Sequence, residues 1–554
     1  VAGRVRIDNT HSEYEGKLYA SSSNTLTDGS SQGHYTVNNG QYSQTYADVL
    51  VNINKRIQDF TIVANIGASY SGVTSKELGY AGPIRETGIP NLFNVYDLDN
   101  AKKRATQVGW REATESIFAS AEVGWKSMLY LTVTGRNDWA SQLTHSPQAS
   151  FFYPSVGLSA VITEMLKLPD WVDYLKVRGS FSSVGNPYPR FLTYPTYSYD
   201  ANKQDWKSQT NYPIGKLYPE RTDSWEVGLD ATLFKDFKLS GSFYYANTYN
   251  QTFDPRLPVS SGYDKLYVQT GYVRNYGFEA MLSYGHRWGD FSWDSSFTFS
   301  ANKNEIVELV KDYVHPETGK TYNVDKLELK TDEGRGFGKA KFILKEGGTL
   351  GDLYTHADLK RDINGNVLID DSGNVTAIDN AGDIKLGSVL PKANLAWNNS
   401  FSYKGINAGF LLTARLGGIV YSATQAYLDL YGVSETSAAA RDAGGVWING
   451  RSRVNPQSFY EVVASQSGLP TYYTYSATNL RLQEAHIGYT VPRRWLGNVC
   501  DINVSLVGRN LWMIYCKAPF DPEAVATTNN YYQGIDYFMM PSTRNIGFNI
   551  KINF

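Results

Sequence analysis

The feature that most constrains this chain is a two-residue alternation of apolar and polar side chains that returns along its length. In the last ten residues, NIGFNIKINF, every second residue from Ile546 to Phe554 is apolar, and those between are polar or glycine. The same alternation runs through residues 225–233, 117–125 and 502–506. Successive side chains of a strand point to opposite faces. Each segment therefore predicts a strand with one face in an apolar medium and the other in water.

The connections between these segments indicate which medium the apolar face meets. Very short turns are predicted at Lys126-Ser127, Lys235-Asp236, Gly289-Asp290 and Lys404-Gly405. Between them lie long polar loops at about residues 73–107, 187–220, 307–388, 419–477 and 514–542. Short turns at one end and long extracellular loops at the other are typical of outer-membrane barrels. In a soluble β-sandwich there is no physical reason for short and long connections to alternate in this way.

The strand count gives the predicted fold class. We count about sixteen strands, most of them longer than the ~9–11 residues that a strand needs to cross a bilayer. The chain is therefore predicted to be an all-β protein that forms a transmembrane antiparallel β-barrel, with no substantial helix. Sixteen strands suffice for a whole porin, and they also suffice for part of a larger barrel of roughly 22 strands with a plugged lumen.

Composition excludes several classes of protein. The formal net charge of −2, from 52 basic and 54 acidic residues, gives no electrostatic argument for nucleic-acid binding. No apolar run approaches the ~18–20 residues of a membrane helix, so none is expected. The 41 Tyr and 12 Trp suit surfaces that are apolar at one end and wet at the other. Cys500 and Cys516 stand at the ends of one predicted strand, roughly 50 Å apart, so two free thiols are expected.

Motifs of enzymes are lacking in the sequence. It contains no HExxH, CxxC or Walker sequence, and GRGFG at 334–338 has neither the spacing nor the Lys-Ser/Thr of a phosphate loop. The seven His are scattered, which argues against paired metal ligation. A barrel hydrolase would need a carboxylate, Ser or His constellation, and none stands out. We expect neither an enzyme nor a cofactor.

One polar stretch, RDINGNVLIDDSGNV at 361–375, has the composition of a calcium loop. Asp362, Asn364, Asn366 and Asp370 supply oxygen ligands close to a glycine. Their spacing departs from the EF-hand pattern, and Asn-Gly and Ser-Gly-Asn are ordinary hairpin-turn sequences. The sequence therefore favours an extracellular hairpin and keeps a calcium site as the alternative.

Aromatic clusters in two predicted loops are the candidates for substrate binding. They lie in YYTYS at 472–476 and NNYYQGIDYF at 529–538. Flat rings beside Asn, Gln and Asp suit stacking on sugar rings or packing against peptide side chains. An aromatic girdle at headgroup level, or contact with a partner protein, is the alternative. The candidate residues are Tyr472, Tyr473, Tyr475, Tyr531, Tyr532 and Tyr537.

A series of longer phrases adds a family resemblance. They are GRNDW (135–139), FYPSVGLSAVITE (152–164), YLKVRGSFSSVGN (174–186), YPERTDSWEVGLD (218–230), VRNYGFE (273–279), FSANKNEIVEL (299–309), LGSVLPKANLAWNNSFSYKG (386–405), NLRLQEAHIGYTVP (479–492), GRNLW (508–512) and FDPE (520–523). In this order they resemble the SusC/RagA family of TonB-dependent outer-membrane transporters of Bacteroidetes. The resemblance runs from about residue 110 to the end, and more loosely before it. The first phrase departs from the family, since Trp139 and Ala140 replace its usual Gly-Ser.

The resemblance implies an architecture larger than this chain. Residues 1–554 would be the C-terminal part of a barrel of roughly 22 strands, whose first strands, plug domain, N-terminal extension and TonB box are not in this sequence. The start at Val1, which is not Met and opens on a strand-like segment, fits that expectation. The resemblance also implies that Phe554 is part of the signal read by the barrel-assembly machinery, and that the protein lies in the outer membrane of a Gram-negative bacterium.

The function implied is active import of oligosaccharides or oligopeptides. TonB would supply the energy, and a SusD-like surface lipoprotein would cover the extracellular face as a lid, with loops 307–388 and 419–477 as its candidate interface. A dimer of such transporter–lipoprotein pairs is also compatible with the resemblance. The residues leave glycan and peptide open as substrates. The alternative is a passive porin that is complete at about sixteen strands.

Overall fold

The structure is a computed structural model that describes residues 1–192, 197–200, 205–207, 211–212, 217–253, 265–314, 319–329, 336–497, 499–526 and 534–553. The chain forms two compact units. The first comprises Val1–Leu158, Ser180–Asp223 and Tyr249–Gln269, and the second comprises Ser159–Gly179, Ser224–Thr248 and Thr270–Phe554.

Sixteen strands form one large antiparallel sheet, and we number them β1 to β16. They are Ala2–Leu18, His34–Ile57, Phe60–Pro83, Arg104–Trp125, Leu129–Ala140, Ser150–Val161, Val172–Asn186, Glu220–Leu233, Phe237–Phe253, Val268–Trp288, Phe291–Glu308, Ala393–Tyr403, Ile406–Leu416, Asn479–Val491, Asp501–Cys516 and Asn545–Asn553. Each strand pairs with the next one along the chain, from β1 through to β16. This up-and-down order is the one predicted from the alternating connections.

The connections alternate in length as the sequence indicated. The four predicted turns fall between the paired strands β4–β5, β8–β9, β10–β11 and β12–β13. Lys404 and Gly405 both have positive φ, as a two-residue type I′ hairpin requires. The loop predicted at 73–107 is shorter than expected and covers 84–103, because β3 and β4 stay paired as far as Ala81 and Arg104. The other long connections span 187–219, 309–392, 417–478 and 517–544.

Exposure on the strands is the reverse of that in a soluble domain. In β4, Ile117 is 58% exposed while its neighbour Ser116 is 3% exposed. In β15, Leu506 is 55% exposed and Ser505 is 7% exposed. Monomeric soluble proteins rarely expose large contiguous apolar surfaces, whereas a barrel strand in lipid shows apolar side chains outward at every second position. The apolar face is therefore a lipid-facing surface.

The C-terminal strand follows the same rule. The apolar residues of β16 pair with β15 residues on the same sheet face, as in Ile550 with Val504 and Phe548 with Leu506. All of β16 from Asn545 to Asn553 is exposed, so its alternate apolar positions are not sealed beneath a second layer of described protein. Phe554, the predicted assembly signal, lies outside the described residues.

The polar face satisfies its charges by pairing. In β5, Arg136 Nε lies 2.7 Å from Asp138 Oδ1, and its Nη2 donates to Ser116 Oγ at 2.8 Å. In the second unit, Arg178 Nη1 donates to Asp230 Oδ2 at 2.8 Å. The Arg178–Asp230 ion pair crosses from β7 to β8. The polar side chains along this face suit a water-filled lumen.

Shorter strands lie in the connections. They are Ser198–Asp200, Asp205–Lys207, Asn211–Tyr212, Lys265–Leu266, Val310–Val314, Thr321–Val324, Lys326–Glu328, Gly336–Phe337, Ala340–Lys345, Asp352–Thr355, Asp358–Leu359, Ala377–Ile378, Ile384–Ser388, Ile419–Ser422, Val446–Ile448, Ser452–Val454, Thr474–Ser476 and Ile535–Asp536. The 309–392 connection folds most of its strands into a five-stranded sheet of its own. The described part of this connection therefore has a fold of its own.

Helices are short, and three of them form in connection 417–478, where the sequence indicated no substantial helix. They are α1 (Ile162–Met165), α2 (Ala423–Leu430), α3 (Glu435–Asp442) and α4 (Pro456–Val463). Ser422, Ser434 and Asn455 accept backbone N–H groups at the first turns of α2, α3 and α4. These caps are a sequence signal for helix starts. Among the described residues, no helix has the length and apolar character to cross a bilayer.

The two cysteines behave as predicted. Cys500 and Cys516 are both free thiols. They stand just before and at the end of β15, and an extended strand keeps them too far apart for a disulfide.

Candidate ligand-binding site

Connection 417–478 is organised around a buried carboxylate. Asp429 of α2 is 4% exposed and accepts hydrogen bonds from Gln425 Nε2 at 3.0 Å, from Tyr473 Oη at 3.0 Å and from Ser434 Oγ. Burial, followed by the charge of Asp429, raises the pKa of Tyr473 above its ordinary value. The phenol therefore stays protonated and remains a donor. This network holds α2, α3 and the segment around Tyr473 together.

A small three-stranded sheet joins this connection to the last one. Ile419–Ser422 pairs antiparallel with Thr474–Ser476 and parallel with Ile535–Asp536. Ser422 Oγ donates to Asp536 Oδ2 at 2.5 Å and accepts from the backbone N–H of Gln425 at 3.0 Å. The serine is thus both a helix cap and a link between connections 417–478 and 517–544. The two connections form one ordered body at the long-loop end of the sheet.

Together with Phe337 of connection 309–392, this body presents four aromatic rings, which we call the aromatic surface: Phe337, Tyr427, Tyr537 and Phe538. Ring centroids lie 4.4 Å apart for Phe337 and Tyr537, and 5.4 Å apart for Tyr427 and Phe538. Phe538 is 58% exposed and Tyr537 is 42% exposed. The backbone N–H of Phe538 donates to Thr424 Oγ1 at 2.7 Å, which ties the surface to α2. Exposed rings on a fixed support suit stacking on a flat or extended ligand.

The predicted tyrosines occupy different environments. Tyr537 belongs to the aromatic surface, whereas Tyr472 packs its ring edge-on against Phe459 and Tyr475 packs against Phe520. Tyr473 is only 2% exposed, and its hydroxyl donates to Asp429. Tyr531 and Tyr532 lie outside the described residues. A ligand role for these tyrosines stays a prediction, and Tyr537 offers the most accessible ring of those described.

The sequence analysis missed three members of the aromatic surface. Phe538 follows Tyr537 directly, so its membership could have been proposed from the same aromatic cluster. Tyr427 lies on α2, which begins after the capping residue Ser422. Phe337 comes from the short strand Gly336–Phe337, far away in the chain. Its approach depends on tertiary folding, and no local pattern indicates it.

The stretch considered for calcium forms two successive tight turns. Asp362 Oδ1 accepts the backbone N–H groups of Asn364 and Asn366, both at 2.8 Å, and Asn366 Nδ2 donates to the other carboxylate oxygen. Asp370 Oδ1 accepts the N–H of Asn374 at 2.8 Å in the same manner. These Asx-type contacts are those of hairpin turns, and they explain why the pKa of Asp362 lies below its ordinary value. Calcium binding here stays the alternative to the favoured hairpin.

Within the described ranges, no three or more His, Cys, Asp and Glu residues are grouped so as to hold a metal ion.

The polar face of the second unit carries a concave region of about 780 Å³. Four of its polar residues come from adjacent strands and lie in direct register: Glu279 of β10 with Ser300 of β11, Ser300 with Asn394 of β12, and Asn394 with Arg415 of β13. Arg415 Nη2 donates to the carbonyl oxygen of Val389 at 2.7 Å. Within this row of residues, the carboxylate of Glu279 can accept hydrogen bonds from a polar solute in the lumen, and the guanidinium of Arg415 can donate them.

A family match decides what kind of protein this is. Residues 4–511 match the family described as TonB dependent receptor-like, beta-barrel. The chain belongs to this family. Sixteen meandering antiparallel strands and an apolar outer face fit that assignment, so the predicted barrel fold is confirmed. The family consists of receptors and transporters, which also confirms the prediction that the chain is not an enzyme.

Curated proteins of the same family show what this TonB-dependent receptor barrel is comparable with in sequence. TonB-dependent receptor P3 of Formosa agariphila is 24% identical over 524 residues, covering 88% of this chain and 50% of the relative. TonB-dependent receptor SusC of Bacteroides thetaiotaomicron is 24% identical over 433 residues, covering 72% of this chain and 40% of SusC. The receptor barrel spans about half the length of the curated relatives it matches.

Solved structures agree on the fold. The structure of the RagAB peptide transporter aligns with all of the receptor barrel and 60% of its own chain, with a TM-score of 0.76 at 17% identity. Together with the SusC relative, this likeness confirms the resemblance to the SusC/RagA family. The family match, with curated relatives from Formosa and Bacteroides, confirms the predicted location in the outer membrane of a Bacteroidetes-like bacterium.

Proposed function

We propose that this receptor barrel is part of an active importer that brings oligosaccharides or oligopeptides across the outer membrane. Energy would come from TonB, and a SusD-like lipoprotein would act as a lid. The observation that carries the proposal is the aromatic surface, held on ordered connections at the long-loop end of a lipid-facing sheet. An ordered ring platform is suited to capturing a specific ligand, whereas free diffusion through a pore requires no such platform.

The names of the relatives support the same proposal. One structural neighbour is a peptide transporter, RagAB, and one curated relative is SusC. Aromatic rings accept both kinds of ligand, because a ring face stacks on the apolar face of a sugar and also packs against peptide side chains. We therefore keep both substrate classes. Connections 309–392 and 417–478 are our proposed interface for the lid, since both are long and internally folded.

The proposal is tested with the full-length protein in its native cells. Uptake of a fluorescently labelled oligosaccharide or oligopeptide pool should stop when TonB is deleted or when the proton-motive force is collapsed. Uptake that continues at the same rate in both conditions would overturn the proposal in favour of the passive porin of about sixteen strands.

A double variant tests the role of the aromatic surface. Tyr537→Ser with Phe538→Ser should reduce ligand binding on the order of tenfold or more, because each lost aromatic contact contributes about 0.5–1.5 kcal/mol beyond its buried area. The matched control is Trp495→Ser, an exposed aromatic residue of the connection 492–500 at the opposite end of the strands. Equal binding by the double variant and the control would remove the aromatic surface from the ligand site.

A further inference from the structure

Two cations lie on the lipid-facing side of the β10–β11 hairpin. Tyr276 of β10 pairs with Lys303 of β11, and Arg274 pairs with Glu305. Directly opposed residues share a face, and so do alternate residues along a strand. Arg274 and Tyr276 are therefore on the same face as Phe278, which is 47% exposed.

The opposite face of the same segment is covered by protein, which fixes the direction in which these cations point. Ile306 is fully buried, and its backbone N–H donates to the carbonyl oxygen of Gly348 at 2.8 Å. Asn304 Oδ1 accepts the N–H of Leu350 at 2.8 Å. The folded 309–392 connection thus packs on the Asn304 and Ile306 side. Lys303 and Glu305 alternate with these residues and point away from it.

The depth of the cations follows from strand geometry. Strand β10 extends about 33 Å from Trp288, beside the short turn, to Phe278. At a strand tilt of ~45°, this length spans about 23 Å along the membrane normal. The apolar band of an outer-membrane barrel is about 25 Å tall. Tyr276 and Lys303 therefore lie at the outer edge of this band, and Arg274 lies one further step towards the long connections. This is the level of lipid headgroups in the outer leaflet.

The side chains form what we call the cationic cluster, made of Arg274, Lys303, Tyr245, Tyr272, Tyr276 and Glu305. Arg274 Nη2 donates to Tyr272 Oη at 3.0 Å, and its guanidinium carbon lies 5.6 Å from the ring centroid of Tyr245. Lys303 Nζ lies 5.5 Å from the ring centroid of Tyr276.

The cluster keeps unused capacity for an anion. Glu305 Oε2 is 3.9 Å from Arg274 Nη1, beyond hydrogen-bond distance, so this carboxylate does not saturate the guanidinium. Two cations face one carboxylate, so the cluster has a net positive charge. Its arginine is packed among rings that orient its remaining donors.

We propose that the cationic cluster binds the phosphate group of a phosphorylated lipid in the outer leaflet. A guanidinium and an ammonium held at headgroup depth match a phosphate in charge and in hydrogen-bonding geometry. The tyrosine rings lie at the level where amphipathic aromatics meet headgroups. The acyl chains of the same lipid would run down the exposed apolar side chains of β10 and β11, below Tyr276. A soluble anion would lack this second contact.

Native mass spectrometry of the full-length protein in detergent tests the proposal, with phosphatidic acid and phosphatidylcholine as probes. Phosphatidic acid should bind more tightly to the wild type. Arg274→Ala with Lys303→Ala should weaken that binding on the order of tenfold, as expected for loss of charge-assisted contacts. The matched control, Lys126→Ala with Lys404→Ala, also removes two exposed cations, but from the short turns at the other end of the strands. It should bind as the wild type does.

Two further measurements keep the outcome decisive. Heat-modifiable migration in gels shows whether each variant is folded, and Arg274→Lys with Lys303→Arg keeps both charges if the alanine variant fails to assemble. This second variant should retain phosphatidic acid binding. Equal loss in both matched alanine variants would overturn the proposal. Full competition by inorganic phosphate at the same concentration as the lipid would also overturn it, because it would identify a free anion as the ligand.

Discussion

Asp48 and Val49 are consecutive residues of β2, yet Asp48 is 4% exposed and Val49 is 55% exposed. The carboxylate of Asp48 accepts a hydrogen bond from Arg4 Nε at 3.1 Å. The side chain of Val49, in contrast, is left exposed. In a water-soluble domain the valine would be the buried member of such a pair. The contrast shows that the apolar face is adapted to a solvent in which exposing valine costs nothing.

The first prediction concerns a residue on the lipid-facing side of β8. Val227→Arg should destabilise the folded barrel in a bilayer by about 2–4 kcal/mol, because charged side chains at the membrane centre lose their hydration. Asp230→Asn, on the opposite face of the same strand, should be tolerated, since the amide keeps an acceptor for Arg178. Urea titration of protein folded in lipid vesicles measures both changes. Equal destabilisation by both substitutions would contradict the face assignment.

The second prediction concerns the buried carboxylate of α2. Tyr473→Phe removes one of the donors to Asp429 and should lower the local stability of connection 417–478 by about 1.5–3 kcal/mol, as is typical for a hydrogen bond to a charged group. Hydrogen exchange of amides in that connection should accelerate on the order of 10–100-fold.

The control for this change is Tyr431→Phe, because Tyr431 is exposed and lies just beyond α2. It should leave exchange unchanged. Unaltered exchange in Tyr473→Phe would show that the phenol does not hold the connection together.

The third prediction is a pH dependence in connection 84–103. Hydrogen bonds from Arg85 and then Asn94 hold the pKa of Asp97 below its ordinary value of 3.8. A lowered carboxyl pKa stabilises the folded connection above pH 3.8, and this stabilisation is lost as the pH falls through the lowered pKa. Pepsin, with its rate normalised at each pH to that on an unfolded reference peptide, should therefore cut the connection slowly at pH 5 and faster towards pH 2. In Asp97→Asn the cutting rate at pH 5 should already be high, and a rate equal to that of the wild type would refute the role of Asp97.

The fourth prediction concerns the cysteines. In the denatured protein, residues 1–554 should contribute two equivalents of reactive thiol whether or not the protein was first treated with a reductant, because Cys500 and Cys516 are free. Cys500→Ser and Cys516→Ser should each remove one equivalent. A titre that rises after reduction would reveal a disulfide and contradict the extended geometry of β15.

Strand positions and faces were predictable because alternation is a local signal. The face of Val227 and the turn at Lys404-Gly405 can both be read within a few residues. The boundary of β3 was not predictable, since residues 73–83 carry Gly and Ser that resemble a loop. Pairing with β4 extends the strand there, which is a tertiary effect that overrides local preference.

The candidate site was less predictable, and for a physical reason. An aromatic residue in a loop has the same local pattern whether its ring is buried or exposed. Tyr473 and Tyr537 show this, since one points into the Asp429 network and the other lies on the aromatic surface. Which of these occurs depends on contacts with distant residues such as Phe337. The capping serines before α2 and α3 were available signals for the helices.

The strict two-residue sorting along strands such as β2 also constrains how this protein can change in length. A single inserted or deleted residue inside a strand would turn Asp48 outward and Val49 inward, and it would exchange every side chain as far as the next turn. An inserted or deleted residue inside a connection such as 84–103 leaves the facing of the strand side chains unchanged. Natural length variation should therefore concentrate in the segments that meet the cell's surroundings, where it also alters what the protein can recognise.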